Sequence, residues 1–227
     1  MKHITDIFFD LDHTLWDFEK NSALAFEKVL KKHKITVELE VFLKHYVPLN
    51  FKYWELYRHD KITQDQLRYG RLKDTFDILN YETSDELIDL ISVEYIHYLP
   101  EFNYLFDGAL EILDYLNAKY NLHIITNGFQ EVQAGKMTNS GIDMYFKTIT
   151  NSEMAGVKKP NPKIFEFALL KANVQKQNSI MIGDCLDADV NGALNFGMDA
   201  IHFNENNKEI PNHIKQVNHL IELKNHL

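Results

Sequence analysis

The sequence of 227 residues contains a single cysteine, Cys185. One thiol excludes an internal disulfide framework and a zinc site made of four cysteines. Uninterrupted apolar runs are no longer than a few residues, as at Ile7 to Phe9, so we expect no segment that spans a bilayer. The first residues soon reach an acid, Asp6, and lack the apolar stretch of a signal peptide, which predicts a cytoplasmic protein.

Basic residues are also scarce. The chain carries 24 Lys and Arg against 33 Asp and Glu, which gives a formal net charge of −9. The only arginines are Arg58, Arg68 and Arg71, and they fall in one short stretch. The excess negative charge repels nucleic acid backbones and anionic membranes, so neither is an expected partner. A small anion can still bind where the local charge is positive.

The remaining composition is that of a folded globular protein, with 45% hydrophobic and 25% charged residues. The apolar run at residues 4–10 predicts a buried strand. Helical spacing continues from about residue 17 to 106, and strands then alternate with single helices, including a helix at 188–196 and a last strand at 200–203. This order predicts an α/β fold with a parallel-sheet core at residues 1–16 and 107–227 and an inserted α-helical cap at residues 17–106.

Polar residues cluster where the predicted strands end, and open parallel sheets bind ligands at those ends. Asp10 and Asp12 are two residues apart and would share one face if the first strand continued regularly. With Asp184, at the end of a later strand, they could supply the oxygen ligands that magnesium prefers. The alternative is that Asp12 and Asp184 only cap helices or turns. The acids after the first strand and Asp184 after the later strand occur together with Lys159, and this combination favours a metal site.

Two further elements carry groups that could bind an anion. Thr126-Asn127-Gly128 offers a hydroxyl, an amide and a backbone N–H in succession. Asn-Gly is also typical of hairpin turns, although here a helix rather than a strand is predicted to follow. Lys159 could equally be a solvated surface lysine, but Pro160 restrains the backbone beside it, which favours a positioned side chain.

Taken in order, these elements resemble the four motifs of the haloacid dehalogenase-like hydrolase superfamily. The motifs are Asp10-x-Asp12-x-Thr14, Thr126-Asn127-Gly128, Lys159-Pro160, and Gly183-Asp184 followed by Asp189. The resemblance covers essentially the whole chain. It implies a Rossmann-like core with a helical cap, and Mg²⁺-dependent phosphoryl transfer from a small phosphorylated metabolite through a phospho-aspartate.

The resemblance also implies a role for each motif residue. Asp10 would be the nucleophile, and Asp12 would be the acid that protonates the leaving group and the base that then activates water. Asp10, the carbonyl of Asp12, and Asp184 would hold Mg²⁺. The phosphoryl oxygens would be bound by Thr126, Asn127, Gly128 and Lys159. Asp189 would orient Lys159 or the metal-bound waters from the second coordination sphere.

The cap region resembles a narrower group, the house-cleaning pyrimidine 5′-nucleotidase branch. The matching positions are Phe18, Asn50, Trp54, Tyr57, Ile62, Thr63, Leu67 and Arg71. This likeness implies a nucleoside 5′-monophosphate substrate, with Trp54 and Arg71 contacting it. Two positions depart from the superfamily pattern, because Cys185 replaces a serine and Asn161 replaces an aspartate.

Other activities are also compatible with parts of the pattern. A phosphatase for sugar phosphates or other small metabolites, or a phosphomutase of the same superfamily, would use the same catalytic residues. A receiver-like signalling domain also forms a phospho-aspartate. However, its acid pair would precede the phosphorylated aspartate, which would lie on a later strand, and it needs no large insertion.

Overall fold

A computed structural model of the protein describes residues 3–227. The backbone forms two compact units, one made of the segment that ends at Phe18 together with Asn103–Leu227, and the other of Glu19–Phe102. We call them the sheet unit and the helical unit. The domain boundaries expected from the sequence, after residue 16 and before residue 107, lie within a few residues of this division.

The sheet unit is built on six parallel strands in the order β3-β2-β1-β4-β5-β6. Their bounds are β1 Asp6–Phe9, β2 Asn121–Thr126, β3 Phe146–Asn151, β4 Ser179–Gly183, β5 Asp199–Phe203 and β6 Gln216–Val217. The α/β parallel-sheet prediction is confirmed. The expectation that the strand at 200–203 is the last one is wrong, because β6 follows it, and β6 is too short to show a periodic pattern.

Nine α-helices lie within residues 3–227, and none of them is long and apolar enough to cross a bilayer. The first four are α1 Phe18–Lys32, α2 Leu39–Arg58, α3 Gln64–Ile78 and α4 Asp85–Tyr98. The sheet unit adds α5 Ala109–Asn117, α6 Gln130–Asn139, α7 Ser152–Ala155, α8 Pro162–Ala172 and α9 Gly192–Phe196. Short 3₁₀ turns occur at Leu99–Glu101, Asp143–Tyr145, Lys176–Asn178 and Leu220–Asn225.

The helix expected at 188–196 is interrupted. Only Gly192–Phe196 is α-helical, and Leu186–Asn191 forms a wider, π-type turn before it. In this turn the Cys185 carbonyl accepts hydrogen bonds from the backbone N–H groups of both Asp189, at 2.9 Å, and Val190, at 3.3 Å. The wide turn lets the Asp189 side chain lie back beside Cys185, and apolar spacing carries no signal for such a turn.

Apolar side chains explain both units. In the sheet unit, Phe8 of β1, Ile125 of β2 and Met181 of β4 are fully buried and pack with Phe165 of α8. In the helical unit the core is aromatic, with the rings of Phe26 and Tyr95 stacked at 4.2 Å and Phe42 and Tyr46 beside them. Each unit therefore has its own core, in which the apolar faces of its helices or strands pack together.

A buried polar pair lies at the amino-terminal end of the sheet. His123 of β2 is 2% exposed, and its Nε2 is 3.1 Å from Oδ1 of Asp6 on β1. Its Nδ1 is 2.8 Å from the Thr148 hydroxyl, and Phe8 stacks on the ring at 4.6 Å. Burial lowers the pKa of His123 below its ordinary value, although Asp6 acts in the opposite direction. The folded protein therefore favours neutral His123.

We predict that this histidine makes the fold less stable in mild acid. When the pH falls from about 7.5 to about 5.5, His123 takes up a proton more readily in the unfolded chain than in the folded one, so the free energy of unfolding decreases. The His123→Gln variant cannot titrate there and should lose less stability over the same interval. Melting temperatures of both proteins across that range test this, and equal slopes would contradict it.

Candidate active site

Two of the predicted site residues, Asp10 and Asp12, lie in the loop after β1. The Asp10 backbone N–H still donates to the Ile182 carbonyl of β4 at 2.9 Å, but the chain then turns. The Leu11 carbonyl accepts hydrogen bonds from the N–H groups of Leu15 and Trp16 at 3.0 and 2.9 Å. Asp10 and Asp12 therefore lie beyond the regular strand, and the expectation of a shared strand face does not apply to them.

Three carboxylates meet at the carboxyl ends of β1 and β4. One oxygen from each of Asp10, Asp184 and Asp189 lies within 4.8 Å of the others. Asp184 directly follows β4, and its backbone N–H donates to the Thr14 hydroxyl at 3.0 Å. Asp189 comes from the π-type turn and accepts a hydrogen bond from the Cys185 N–H at 3.0 Å. The structure thus brings together residues that are far apart in the sequence.

Gly183 leaves room for this arrangement. A Cβ at position 183 would fall 2.3 Å from Oδ2 of Asp189, a distance that real Cβ atoms do not tolerate. Any larger side chain at the end of β4 would displace the Asp189 carboxylate. The Gly-Asp pair in the sequence therefore has a steric explanation at this position.

Lys159 lies among these acids. Its side chain is 2% exposed, and Nζ is 2.6 Å from Oδ1 of Asp10, 2.7 Å from Oδ1 of Asp189 and 2.6 Å from the Ile125 carbonyl oxygen. The Asn127 side chain holds the Lys159 backbone on both sides, because its Nδ2 donates to the Lys159 carbonyl at 3.0 Å and its Oδ1 accepts from the Lys159 N–H at 2.8 Å. The peptide bond between Lys159 and Pro160 is cis.

Burial and the mutual repulsion of the carboxylates set the pKa values in this cluster. Burial raises the pKa of Asp10 well above its ordinary value, and Asp189 and Asp184 raise it further although Lys159 opposes them. Desolvation and the charge of Asp189 raise the pKa of Asp184 to about 7. Burial alone would lower the pKa of Lys159, but Asp10 and Asp189 outweigh it and raise that pKa. Lys159 therefore remains a cation.

A hard divalent cation fits this donor set. The cluster offers carboxylate oxygens, which magnesium prefers, and it places three carboxylates around the single ammonium group of Lys159. Two of the predicted metal ligands, Asp10 and Asp184, belong to the cluster. The ligand predicted from Asp12 is its backbone carbonyl, which stays a prediction. The Asp12 carboxylate is bound elsewhere, and Asp189 supplies the third carboxylate of the cluster.

The Asp12 carboxylate is held by helix α6. Gln133 Nε2 donates to Oδ2 of Asp12 at 2.9 Å and lies 3.0 Å from the Thr126 hydroxyl, while Lys136 Nζ is 2.6 Å from Oδ1 of Asp12. The Thr126 hydroxyl also accepts from the Gly128 N–H at 3.0 Å. Gln133 and Lys136 were not among the site residues predicted from the sequence. Two polar residues three positions apart on the helix that follows Thr126-Asn127-Gly128 were the available signal.

The two predicted substrate contacts of the cap lie in the helical unit. Arg71 is 2% exposed, its Nη1 donates to Oδ1 of Asn50 at 2.8 Å, and its guanidinium lies 5.4 Å from the ring centre of Tyr95 and 5.8 Å from that of Tyr46. Nε of Arg71 has no hydrogen-bond partner among residues 3–227. The ring of Trp54 lies 5.7 Å from that of Tyr57.

Comparison with known proteins connects this geometry to a family. Residues 7–203 match the family described as haloacid dehalogenase-like hydrolase. The chain is 31% identical over 206 residues to the pyrimidine 5′-nucleotidase YjjG of Escherichia coli strain K12, covering 90% of this chain and 88% of that protein. It is 34% identical over 212 residues to a glyceraldehyde 3-phosphate phosphatase of Pyrococcus furiosus, and that match covers 89% of this chain and 82% of that protein.

A solved structure is also similar over the full length. The crystal structure of the HAD-hydrolase YfnB of Bacillus subtilis, described as bound to magnesium, superposes with a TM-score of 0.90. It is 27% identical in sequence and the match covers 99% of both chains. That relative therefore has the fold of this chain and binds the cation that suits the three carboxylates.

We predict that Mg²⁺ stabilises the protein through this cluster. Because close carboxylates repel one another, millimolar Mg²⁺ should raise the melting temperature by a few degrees, in line with the stabilisation expected of any ligand that binds only the folded state. The increase should be larger at pH 8 than at pH 6, because Asp184 takes up a proton near pH 7.

The variants Asp184→Asn and Asp187→Asn give a matched comparison, because Asp187 lies three residues further along the chain, is exposed and is not one of the three clustered carboxylates. Asp184→Asn should melt higher than wild type without metal and lose most of the response to Mg²⁺. Asp187→Asn should keep that response. An undiminished Mg²⁺ shift in Asp184→Asn would show that the cation binds elsewhere.

Proposed function

This chain belongs to the haloacid dehalogenase-like hydrolase family, and we propose that it is a Mg²⁺-dependent phosphomonoester hydrolase that acts through a phospho-aspartate. The observation that carries the proposal is the ion pair of Lys159 with Asp10 inside a three-carboxylate cluster at the carboxyl ends of the strands. This arrangement presents a nucleophilic carboxylate next to positive charge, which is what attack on a phosphate requires.

In the first step an oxygen of Asp10 attacks phosphorus, and the bond from phosphorus to the leaving oxygen breaks. Lys159 beside Asp10 stabilises the charge on the phosphoryl oxygens, and the Thr126 hydroxyl and the backbone around Asn127 and Gly128 bind the same group. Asp12 gives its proton to the leaving oxygen. An alkoxide is a poor leaving group, so this proton is needed for an alkyl phosphate.

In the second step water attacks the phospho-aspartate. Asp12, now a carboxylate, takes a proton from the water as its oxygen bonds to phosphorus. The bond between phosphorus and the Asp10 oxygen breaks, which releases inorganic phosphate and restores the Asp10 carboxylate. Asp12 is again protonated, so the cycle is complete with one water consumed for each ester.

Asp10, Asp184 and the Asp12 carbonyl would hold Mg²⁺, with the Asp189 carboxylate beside them. The bound cation would neutralise the repulsion between the carboxylates and an incoming phosphate. Asp189 also orients Lys159 through their ion pair at 2.7 Å, which supports its predicted indirect role.

For the substrate we propose a pyrimidine nucleoside 5′-monophosphate. The matched positions of the cap and the E. coli relative named a pyrimidine 5′-nucleotidase support this choice. The P. furiosus relative supports a second candidate, a small sugar phosphate such as glyceraldehyde 3-phosphate. We also propose a cytoplasmic location and no polymeric nucleic acid partner, in keeping with the net charge of −9 and the single cysteine.

Phosphate release from a panel of esters tests the proposal. The panel contains pyrimidine and purine nucleoside 5′-monophosphates, glyceraldehyde 3-phosphate and 4-nitrophenyl phosphate, each with Mg²⁺ and with excess EDTA. We predict Mg²⁺-dependent release by wild type and none by Asp10→Asn, because an amide cannot attack phosphorus. Turnover that persists in Asp10→Asn or in chelated protein would contradict the mechanism, and a preference for the sugar phosphate would replace the nucleotide assignment.

Arg71 generates a separate prediction about specificity. A buried guanidinium whose Nε lacks a partner among the described residues 3–227 keeps a donor for a ligand, and charged hydrogen bonds are the stronger kind. Arg71→Lys keeps the charge but loses the planar donor pair. We expect KM for pyrimidine nucleotides to rise by about tenfold or more, with KM for 4-nitrophenyl phosphate little changed.

Arg58→Ala serves as the control, since it removes another of the arginines in the same unit. An equal loss of activity on the pyrimidine nucleotide and on 4-nitrophenyl phosphate in Arg71→Lys would assign Arg71 to the packing around Asn50 and the tyrosines. An unchanged KM for every ester would remove it from the substrate site altogether.

A further inference from the structure

Both oxygens of the Asp12 carboxylate are bound by side chains of α6. Lys136 Nζ is 2.6 Å from Oδ1, and Gln133 Nε2 is 2.9 Å from Oδ2. The Lys136 and Gln133 residues are 3% and 2% exposed, so both donors are buried. A carboxylate with a donor on each oxygen cannot rotate about its terminal bond without losing one hydrogen bond. Each oxygen still has a second lone pair for a proton.

Gln133 joins this carboxylate to a predicted phosphate-binding residue. Its Nε2 lies between Oδ2 of Asp12 and the Thr126 hydroxyl, at 2.9 and 3.0 Å. A Cβ at position 128 would fall 1.7 Å from this same nitrogen. Glycine at 128 is therefore needed for the Gln133 amide to reach Asp12, which gives the third residue of Thr126-Asn127-Gly128 a steric role.

Lys136 is held from its other side by aromatic rings. Its Nζ lies 4.4 Å from the ring centre of Trp16 and 5.3 Å from that of Phe18, both of which are buried. A buried ammonium needs hydrogen-bond acceptors, and here Oδ1 of Asp12 accepts from Lys136 Nζ while the rings supply cation–π contacts. The lysine is thus fixed in place before any substrate arrives.

We infer that Gln133 and Lys136 are positioning residues that set the direction in which Asp12 delivers and receives its proton. This inference rests on the proposed function. When the bond from phosphorus to the leaving oxygen breaks and the bond to Asp10 forms, the proton on Asp12 moves to the leaving oxygen, and a proton from water later returns to it. Transfer of this kind depends on a carboxyl that is already oriented.

The dependence on leaving group distinguishes this role from a structural one. An alkyl phosphate needs the proton in the first step, whereas 4-nitrophenyl phosphate has a leaving group that departs without it. Because kcat/KM reports the steps through formation of the phospho-aspartate, loss of Asp12 orientation should lower kcat/KM for the alkyl ester selectively. A general collapse of the site would lower both values together.

The experiment measures kcat/KM for 4-nitrophenyl phosphate and for the alkyl phosphate that wild type hydrolyses fastest, in Lys136→Met and Gln133→Met. We expect kcat/KM for the alkyl phosphate to fall by about 10- to 100-fold. The factor by which kcat/KM falls for 4-nitrophenyl phosphate should be at least tenfold smaller. Asp12→Asn sets the pattern and should show the same selectivity with a larger loss. Gly128→Ala, which would displace the Gln133 amide, should resemble Gln133→Met.

Lys176→Met is the matched control. Lys176 also lies near an aromatic ring, with Nζ 5.2 Å from the ring centre of Phe196, but it precedes the amino-terminal end of β4 and touches none of the acids. Its two kcat/KM values should stay at wild-type levels. Lys136→Arg keeps a cationic donor and should recover part of the alkyl activity. Melting temperatures show which variants are folded. If Lys136→Met does not fold, Gln133→Met alone tests the inference.

Equal losses for the alkyl and aryl esters in both folded variants would overturn the inference, and so would unchanged activity on both. The proposed function is judged separately, on wild type and Asp10→Asn alone. Failure of wild type to release phosphate from any ester would overturn the function itself. A wild type that works, with variants that lack leaving-group selectivity, would overturn only the role of Gln133 and Lys136.

Discussion

The geometry of the candidate active site depends on one buried ammonium group. Lys159 Nζ contacts carboxylates from two different strand ends, Asp10 after β1 and Asp189 beyond β4, and the carbonyl of Ile125 on β2. Removing this charge would leave carboxylates packed together in a poorly solvated position, where their repulsion is strong. The contact therefore joins three neighbouring strands at the edge of the sheet where the phosphate is proposed to bind.

Several local features follow from the need to hold Lys159 and its partners in place. The Asn127 amide binds the Lys159 backbone at both the N–H and the carbonyl, which orients the segment that carries the lysine. Gly183 leaves space for the Asp189 carboxylate, and the π-type turn brings that carboxylate back to the cluster. The site is assembled from loops, but each loop is anchored to a buried strand, and such a scaffold limits the movement of catalytic groups.

The two aspartates of the first motif are separated by this architecture. Asp10 belongs to the charge cluster around Lys159, whereas the Asp12 side chain lies with Gln133 and Lys136 of α6. Each carboxylate is thus paired with its own buried lysine. This division fits the proposed chemistry, in which one carboxylate attacks phosphorus and the other transfers a proton, because the two tasks require different surroundings.

The sequence by itself determined the class of fold and the motif positions. Apolar runs and helical spacing are local, so they predicted the parallel sheet and the helix at Pro162–Ala172, and they missed only weak elements such as β6 and the π-type turn. Asp10 and Asp184 were identified because they follow predicted strands, and Lys159 because Pro160 restrains the backbone beside it. The tertiary structure alone decided which of them meet: that Asp189 rather than the Asp12 carboxylate joins the cluster, and that Gln133 and Lys136 hold Asp12. Such pairings depend on how the loops turn in space, and residue spacing carries no information about contacts over more than a hundred positions.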